Sequence, residues 1–130
     1  MDINDLVEIE LPDEQAFLKI RETLTRIGLA SKKENTLYQS CHILHKRGKY
    51  YLVHFKEMFA LDGKPSTLDE SDVGRRNTII DLLVQWNLCK VLNPEKIEEP
   101  RANMSQIKVI PFKEKNDWDL VAKYTIGKKE

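Results

Sequence analysis

The sequence LYQSCHILHKRGKYYLVHFKEM, residues 37–58, predicts the β-hairpin on which the fold is built. Two runs rich in β-branched and aromatic residues, 36–45 and 49–56, flank a short basic turn in which Gly48 can adopt the positive φ angle of a tight hairpin. The two strands carry four aromatic residues among basic and imidazole side chains: Tyr38, Tyr50, Tyr51 and Phe55. Aromatic rings beside cations on an open sheet commonly hold single-stranded RNA, so this pattern by itself indicates a candidate RNA-binding sheet.

The segments before the hairpin predict one strand and one helix. Apolar and polar residues alternate over residues 6–11, which is typical of a half-buried strand. A helix is predicted to begin at residue 12 or 13 and to reach residue 27, because apolar side chains recur there every three or four positions. Gly28 suits the C-terminal cap of that helix, and residues 29–35 are predicted to form a loop.

The segments after the hairpin complete the predicted fold. They comprise an irregular segment over residues 58–67, a helix that begins after residue 66 or 67 and ends near residue 86, a stop at Asn87, a strand over 88–92, a surface loop over 93–105, and a hairpin of strands 107–112 and 118–124. We therefore predict an α+β fold with a ferredoxin-like βαββαβ core and an additional C-terminal antiparallel hairpin, giving two antiparallel sheet regions and two main helices. The third strand lacks the Gly-aromatic-Gly signature of RNA-recognition motifs, so the chain is not an ordinary member of that class.

Length and composition predict a single domain over residues 1–130. Apolar residues make up 41% of the chain, which is enough for an ordinary core. The longest apolar runs fall far short of the roughly 18 residues of a membrane-spanning helix, and no signal peptide opens the chain, so a soluble, cytoplasmic protein is expected. Cys41 and Cys89 lie far apart and form no CxxC motif, which favours reduced, structural thiols.

The net charge of zero conceals a strong segregation of charge along the chain. Residues 1–16 contain six acidic and no basic residues, whereas residues 17–56 contain nine basic and two acidic residues. Such a local positive field can attract a polyanion without an overall excess of positive charge. The alternative is that the acidic residues fold back over the basic ones, and the sequence leaves both arrangements open.

No motif of an enzyme or of a metal site is found in the sequence. A glycine-rich phosphate loop, HExxH and GxSxG are all missing, and the acidic residues form no convincing acid–base pair. Cys41, His42, His45 and His54 have metal-binding side chains, but their spacing fits no structural zinc pattern. We therefore expect no catalytic activity, no metal and no other cofactor.

Several basic and aromatic residues are candidates for contact with RNA. Lys19, Thr23 and Arg26 occupy positions i, i+4 and i+7 of the first predicted helix and form one polar stripe, which is either a phosphate-binding surface or an ordinary solvated face. Lys32 and Lys33, together with the basic residues of the hairpin turn, would extend this positive patch. Further candidates are Trp86, which is either a core residue or a stacking plate, and Phe112, Lys113 and Lys115, which together suit one base and two phosphates.

Five blocks of the sequence resemble the RegA family, the translational repressors of T-even-type bacteriophages. They are FLKIRETLTRIGLA (17–30), LYQSCHILHKRGKYYLVHFKEM (37–58), LLVQWNL (82–88), VIPFKEK (109–115) and the pattern W-x-L-V-x-KYTIG (118–127). Strings as long and unusual as LYQSCHIL and VHFKEM are poorly explained by chance. Relative to the family, residues 1–5 look like an N-terminal extension, and residues 93–104 are the least similar segment.

The resemblance implies a protein whose partner is single-stranded mRNA near the ribosome-binding site. Such a repressor would occupy the AU- or U-rich translation initiation region of early phage messages, in the cytoplasm of the infected host, and block the ribosome. No cofactor and no membrane are implied. The family's RNA contacts are attributed to the first helix, a nearby loop and a C-terminal aromatic residue, and by motif they carry over to Lys19, Thr23, Arg26, Trp86 and Phe112.

Two alternative functions stay open from the sequence. The chain could be a protein-interaction module that inhibits a host factor through an exposed sheet. It could instead be a ferredoxin-like sensor of small molecules, although the turn over residues 11–13 lacks the glycine that such modules often carry between the first strand and helix. A homodimer formed through an edge strand is also compatible with the sequence.

Overall fold

The computed structural model describes residues 2–30, 37–103 and 107–109. Within these residues the strands are β1 (Val7–Glu10), β2 (Ile27–Ala30), β3 (Leu37–Gln39), β4 (Cys41–Lys46), β5 (Lys49–His54), β6 (Lys90–Val91) and β7 (Lys108–Val109). The α-helices are α1 (Ala16–Leu24), α2 (Phe55–Leu61) and α3 (Glu70–Gln85), and short 3-10 helices lie at Ile3–Asp5 and Pro94–Ile97. None of the helices in this described part is long and apolar enough to cross a membrane.

The first sheet has four antiparallel strands in the order β4-β5-β1-β6. This order places the first and third strands of the βαββαβ core side by side at the centre of the sheet, as in a ferredoxin-like fold, and confirms the predicted fold class. The predicted hairpin turn is also found, with φ angles of 54° at Arg47 and 76° at Gly48, and with Lys46 paired to Lys49. Positive φ at both central residues matches the twist of the two flanking strands.

A second sheet of three antiparallel strands, in the order β3-β2-β7, supplies the other sheet region. Its central strand is β2, where Gly28 pairs with Gln39 on one side and with Lys108 on the other. The short strand β7 lies within the first strand of the predicted C-terminal hairpin, which joins residues 107–112 and 118–124, and it pairs with β2. The second of those predicted strands lies outside the described residues.

Strand β2 corrects the predictions for the end of the first helix. The helix ends at Leu24 instead of Ile27, Gly28 is a paired strand residue instead of a helix cap, and the predicted loop over residues 29–35 begins as a strand. The side chain of Ile27 is fully buried. Because either a helix or a strand can bury one apolar side chain at that position, the apolar spacing alone did not distinguish between them.

Helix α2 occupies the end of the predicted second hairpin strand and the start of the predicted irregular segment, residues 58–67. Its first turn is stabilised by a reciprocal cap. Nδ1 of His54 accepts the N–H of Lys56 at 3.1 Å, and Oε1 of Glu57 accepts the N–H of His54 at 2.8 Å. Histidine is not among the preferred capping residues, so this helix start lacks its usual sequence signal.

Two further element boundaries differ from the prediction, and one agrees with it. The predicted first hairpin strand is divided at Ser40 into β3 and β4. Helix α3 begins after Asp69 instead of residue 66 or 67, because the Asp69 carboxylate accepts the N–H of Asp72 at 2.8 Å and caps the helix there. Asn87 has a φ of 61°, a conformation that asparagine tolerates better than most residues, and it follows the helix as predicted.

Apolar side chains pack on both faces of the first sheet. One face packs against α1 and α3 and contributes to a core that includes Val7, Ile9, Ile20, Leu24, Leu52, Ile79, Ile80 and Leu83. On the other face, a smaller cluster of Leu6, Tyr51 and Val53 packs with Ile3, Leu44, Met58 and Leu61. Helix α2 and the first 3-10 helix therefore cover part of the face that the sequence predicted to be open.

The segment after β6, predicted as a surface loop over residues 93–105, is fastened to the core. Ile97 in its 3-10 helix is only 8% exposed. The side-chain amide of Asn93 donates to the carbonyl of Leu6 and its Oδ1 accepts the N–H of Glu8, both at 2.9 Å. These two bonds hold the beginning of the segment against β1.

Candidate nucleic-acid interface

Helix α1 carries the polar stripe that the sequence analysis selected. Its N-terminus is fixed by Asp13, whose carboxylate accepts the N–H groups of Gln15 and Ala16, each at 2.9 Å. The buried side of the helix is formed by Ala16 with Ile20 and Leu24. Because this side of the helix packs against the sheet, α1 has two flanks, one on either side of its buried residues.

The three residues of the predicted stripe differ in exposure. Lys19 is exposed, Arg26 is half-buried, and Thr23 is only 4% exposed. Arg26 follows the end of the helix, and its N–H donates to the carbonyl of Thr23 at 2.9 Å. Lys19 is therefore the exposed cation of this flank of α1 and Arg26 is a half-buried cation in the turn that follows, whereas the hydroxyl of Thr23 has little surface to offer a ligand.

The other predicted contact residues fall into two groups. Those that lie outside the described residues are Lys32, Lys33, Phe112, Lys113 and Lys115. Trp86, at the C-terminal cap of α3, is 5% exposed and packs in the main core, where its indole N–H has no acceptor among the described residues. Its ring occupies the core position that the sequence left as one alternative, and neither face is open to a base in this structure.

The open aromatic sheet predicted from the hairpin sequence is not formed. Tyr50 and Tyr51 are neighbours in β5 and therefore point to opposite faces of the first sheet. Tyr51 is 6% exposed, Tyr38 belongs to the second sheet, and Phe55 is the first residue of α2. The four residues do not share one face of one sheet, so this prediction is wrong.

A different aromatic group forms where α1 packs beside the turn end of the hairpin. The rings of His45 and Tyr50 stack with their centroids 4.2 Å apart and their planes inclined by 13°. The ring of Phe17 contacts both, at centroid distances of 6.4 Å from His45 and 5.5 Å from Tyr50. One turn later, the guanidinium carbon of Arg21 lies 5.6 Å from the centroid of Phe17. We name Phe17, Arg21, His45 and Tyr50 the corner cluster.

Three cations of the hairpin turn adjoin the corner cluster. Lys46, Arg47 and Lys49 are all exposed. Across residues 2–30, 37–103 and 107–109, none of the three forms an ion pair with a carboxylate. The turn is therefore a local source of positive potential that no described acidic side chain neutralises by contact.

An acidic groove borders the corner cluster on the side of β1. Glu10, Asp13 and Glu14 line this groove together with Lys49 and Tyr50, and its open volume is about 460 Å³. The acidic N-terminal segment thus lies next to the basic turn without an ion pair between the described residues of the two. An anionic ligand is attracted toward the turn and repelled from the groove.

A buried polar network supports the other end of the hairpin. His54 is 1% exposed, and its Nε2 lies 3.7 Å from Oδ1 of Asp72. Burial lowers the pKa of His54 to about 4, so this imidazole is neutral at pH 7. Burial acts to raise the pKa of Asp72, but hydrogen bonds from Nζ of Lys56, at 2.6 Å, and from the N–H of Asp69 hold that pKa below its ordinary value.

Both cysteines are buried and form no disulfide. Burial raises the pKa of Cys41 and of Cys89 to about 12, so neither is a thiolate at neutral pH. This agrees with the predicted structural role. In the described part of the chain, no three His, Cys, Asp or Glu side chains lie close enough together to hold a metal ion.

Comparison with known proteins gives the chain its family. The family model described as "Bacteriophage translational regulator" matches residues 6–127. The chain belongs to this family. It is 49% identical over 122 residues to the translation repressor protein of Escherichia phage RB69, which covers 94% of this chain and 99% of that protein. Identity to the translation repressor proteins of Enterobacteria phages T4 and T6 is 47% with the same coverage.

These matches confirm the resemblance to the RegA family and give this translational regulator a regulatory role, which is not an enzymatic one. Within the regulator, the sequence analysis selected α1 but missed the corner cluster. Phe17 is not among the predicted contact residues, and His45 is named there as a metal-binding side chain. These two residues and Tyr50 meet only when α1 packs on the hairpin, and the one local sign was the i, i+4 spacing of Phe17 and Arg21.

Proposed function

We propose that this translational regulator binds single-stranded mRNA over the AU- or U-rich initiation region of early phage messages and blocks the ribosome there. The observation that carries the proposal is the 49% identity to a translation repressor across 94% of the chain. Repression then requires only competition, because the bound protein and the ribosome need the same nucleotides. The cytoplasm of the infected host is the proposed site of action.

The exposed flank of α1 supports contact with the RNA backbone. We assign Lys19, which is exposed on α1, and Arg26, which is half-buried just after the helix, to phosphate contacts, since both are cationic. Each neutralised phosphate releases counterions, so affinity should fall by roughly 0.7 log units per log unit of salt for every such contact. Thr23 and Trp86 are buried, and we assign both to positioning α1 and α3.

The remaining residues of the proposed interface are assigned from the sequence, and Phe112 among them also from the family resemblance. Phe112 is proposed to stack on an unpaired base, which typically contributes ~1–3 kcal/mol. Lys32, Lys33, Lys113 and Lys115 are proposed to bind flanking phosphates through their charge. Stacking and phosphate contacts together favour an unstructured single strand, because a duplex keeps its bases stacked on each other.

Fluorescence anisotropy with a short, labelled U-rich RNA tests this function. Duplex RNA of the same length and single-stranded DNA are the competitors, and each titration is repeated at several salt concentrations. We expect salt-sensitive binding to the single-stranded RNA with clear preference over both competitors. Absence of RNA binding even at low salt would overturn the proposal, and a host protein retained in a nuclease-resistant pull-down would then favour the protein-interaction alternative.

A matched pair of variants tests the assignment of α1. Lys19→Gln should weaken RNA binding and flatten its salt dependence. Lys90→Gln removes an exposed cation from β6, at the edge of the first sheet opposite the hairpin, and should leave binding unchanged. The same proteins should rank in the same order in a cell-free translation assay that uses a message with a U-rich initiation region. Equal binding by both variants would contradict the assignment.

A further inference from the structure

We propose that the corner cluster is a second RNA subsite, in which His45, backed by Tyr50, stacks on one unpaired base while Arg21 and the hairpin turn hold the adjoining phosphates. This inference rests on the proposed function, because it takes single-stranded RNA as the ligand. The subsite is separate from the flank of α1 that carries Lys19.

The arrangement of the rings gives the subsite its stacking surface. One face of His45 lies against Tyr50, 4.2 Å away and nearly parallel, and the His45 side chain is nevertheless exposed. The surface that His45 presents to solvent is therefore its opposite ring face and edge. Tyr50 is half-buried and is held from the side of α1 by Phe17, so the stack is preorganised and little side-chain entropy is lost when a base joins it.

The charges around the rings select the class of ligand. Lys46, Arg47 and Lys49 are exposed beside the stack, and Arg21 is exposed next to Phe17. A ligand that matches both features needs a flat aromatic group with an anion on each side, which is the repeating unit of a single-stranded nucleic acid. An acidic protein segment would satisfy the cations but would not use the exposed ring face.

The acidic groove limits the direction from which the strand approaches. Glu10, Asp13 and Glu14 occupy the side of Tyr50 toward β1, where phosphates would be repelled. The favourable path therefore runs between Arg21 and the turn. A cationic small molecule would instead be attracted to the groove, so the charge pattern also distinguishes RNA from that class of ligand.

The two flanks of α1 can serve one RNA strand. Lys19 lies two positions from both Phe17 and Arg21, a rotation of about 200° around the helix axis, which puts it on nearly the opposite flank. Between them is an outward ridge on which Leu18 is 59% exposed. A helix with its side chains is about 10–12 Å in diameter, so a strand of a few nucleotides that crosses this ridge reaches both flanks.

Variants of His45 test the stacking role. His45→Ala removes the exposed ring and should weaken binding of a U-rich RNA roughly 5- to 150-fold with the salt slope unchanged. His45→Phe keeps a flat ring and should bind within about twofold of the unmodified protein. Phe59→Ala is the matched control. Phe59 is an exposed aromatic residue of α2, away from the hairpin turn, and the centroid of its ring lies 5.7 Å from Nζ of Lys64. Loss of this ring should also leave affinity within about twofold.

A second measurement does not depend on how well His45→Ala folds. RNA that carries 5-iodouridine is photo-crosslinked to the unmodified protein, and the modified peptides are identified by mass spectrometry. We expect crosslinks to His45 or Tyr50. Arg21→Gln gives an independent check and should weaken binding while reducing the salt slope by roughly 0.7, the contribution of one phosphate.

The outcomes separate this inference from the proposed function. If Lys19→Gln weakens binding but His45→Ala does not, and no crosslink falls within β4 or β5, the protein binds RNA without the corner cluster and the inference is overturned. If the unmodified protein binds no RNA, the proposed function fails and the subsite falls with it. Loss of binding in His45→Ala with recovery in His45→Phe supports the stacking role, since a purely electrostatic contact would not be restored by phenylalanine.

Discussion

Arg76 of α3 donates a hydrogen bond from Nη1 to Oε2 of Glu57 in α2 over 2.8 Å, and both side chains are almost completely buried. The same guanidinium donates to Oδ1 of Asn77 and to the carbonyl of Lys96, while the other carboxylate oxygen of Glu57 accepts the N–H of His54. This ion pair therefore joins β5, α2, α3 and the segment after β6 in one network.

Glu57→Gln should strongly destabilise the protein, because it leaves the guanidinium of Arg76 buried without its counter-charge. We expect a loss of about 3–5 kcal/mol in the free energy of unfolding, measured by urea denaturation. Asp81→Asn is the control, since Asp81 pairs with Arg101 at the surface and its removal should cost less than about 1 kcal/mol. Similar losses in the two variants would contradict the central role of the Glu57 pair.

Stability should decrease in mildly acidic solution because of His54. Its pKa is about 4 in the folded protein, below the ordinary value of 6.5 that applies to the unfolded chain. The unfolded chain therefore binds the proton more readily, so this contribution is complete above about pH 6.5 and is lost as the pH falls toward 4. We expect the free energy of unfolding to fall by an amount on the order of 3 kcal/mol across this window, measured by urea titrations at a series of pH values.

His54→Asn provides the control for the pH dependence. Asparagine is a good capping residue and can accept the N–H of Lys56 without titrating. Most of the pH dependence between 6.5 and 4 should disappear in this variant. A smaller decrease in the free energy of unfolding with falling pH should persist, because burial also lowers the pKa of His42. An unchanged slope would show that another group is responsible.

Arg26→Gln and Phe112→Ala should weaken RNA binding in distinguishable ways. Loss of the Arg26 cation should reduce the salt slope by roughly 0.7, which corresponds to one phosphate. Loss of the Phe112 ring should lower the affinity by ~1–3 kcal/mol and leave the slope nearly unchanged, because stacking releases few counterions. The measurement is anisotropy over a range of salt concentrations, and equal slopes in the two variants would disprove this division of roles.

Glu14→Gln should strengthen RNA binding at low salt. Glu14 lines the acidic groove beside Tyr50, so its charge repels phosphates that approach the corner cluster. We expect a gain of about two- to fivefold that disappears near 1 M salt, where the Debye length falls to about 3 Å. Glu70→Gln, which also removes an acidic residue near a helix N-terminus but in α3, should have no effect on affinity. Weaker binding by Glu14→Gln would place the RNA elsewhere.

The parts of the fold that local chemistry determines could be predicted from the sequence. The hairpin turn followed from Gly48 between two β-rich runs, and the end of α3 followed from Asn87, because both positions require a positive φ angle. Helix α2 could not be predicted, since it is seven residues long and begins with a histidine cap, which is not a usual sequence signal for a helix start. The boundary between α1 and β2 failed for another reason, because Ile27 is buried under either assignment.

For the candidate interface too, local sequence predicted some residues and not others. Lys19 and Thr23 could be predicted to share one side of a helix because their spacing lies within α1, whereas Arg26 lies in the turn that follows it. The burial of Trp86 could not be predicted, since a tryptophan at this position suits either a core or a stacking surface until the packing around it is known. The corner cluster requires contacts between residues separated by about thirty positions in the chain, and no periodicity within one segment records such a contact.

Only Thr25 and Arg26 separate the last residue of α1 from the first residue of β2. A connection this short has no slack, because each residue spans at most about 3.6 Å. The helix that we propose to grip RNA and the central strand of the second sheet are therefore mechanically coupled. A rotation of α1 on binding RNA would be transmitted to β2 and, through its pairing, to β3 and β7. Amide hydrogen exchange in the second sheet should therefore report RNA binding at α1.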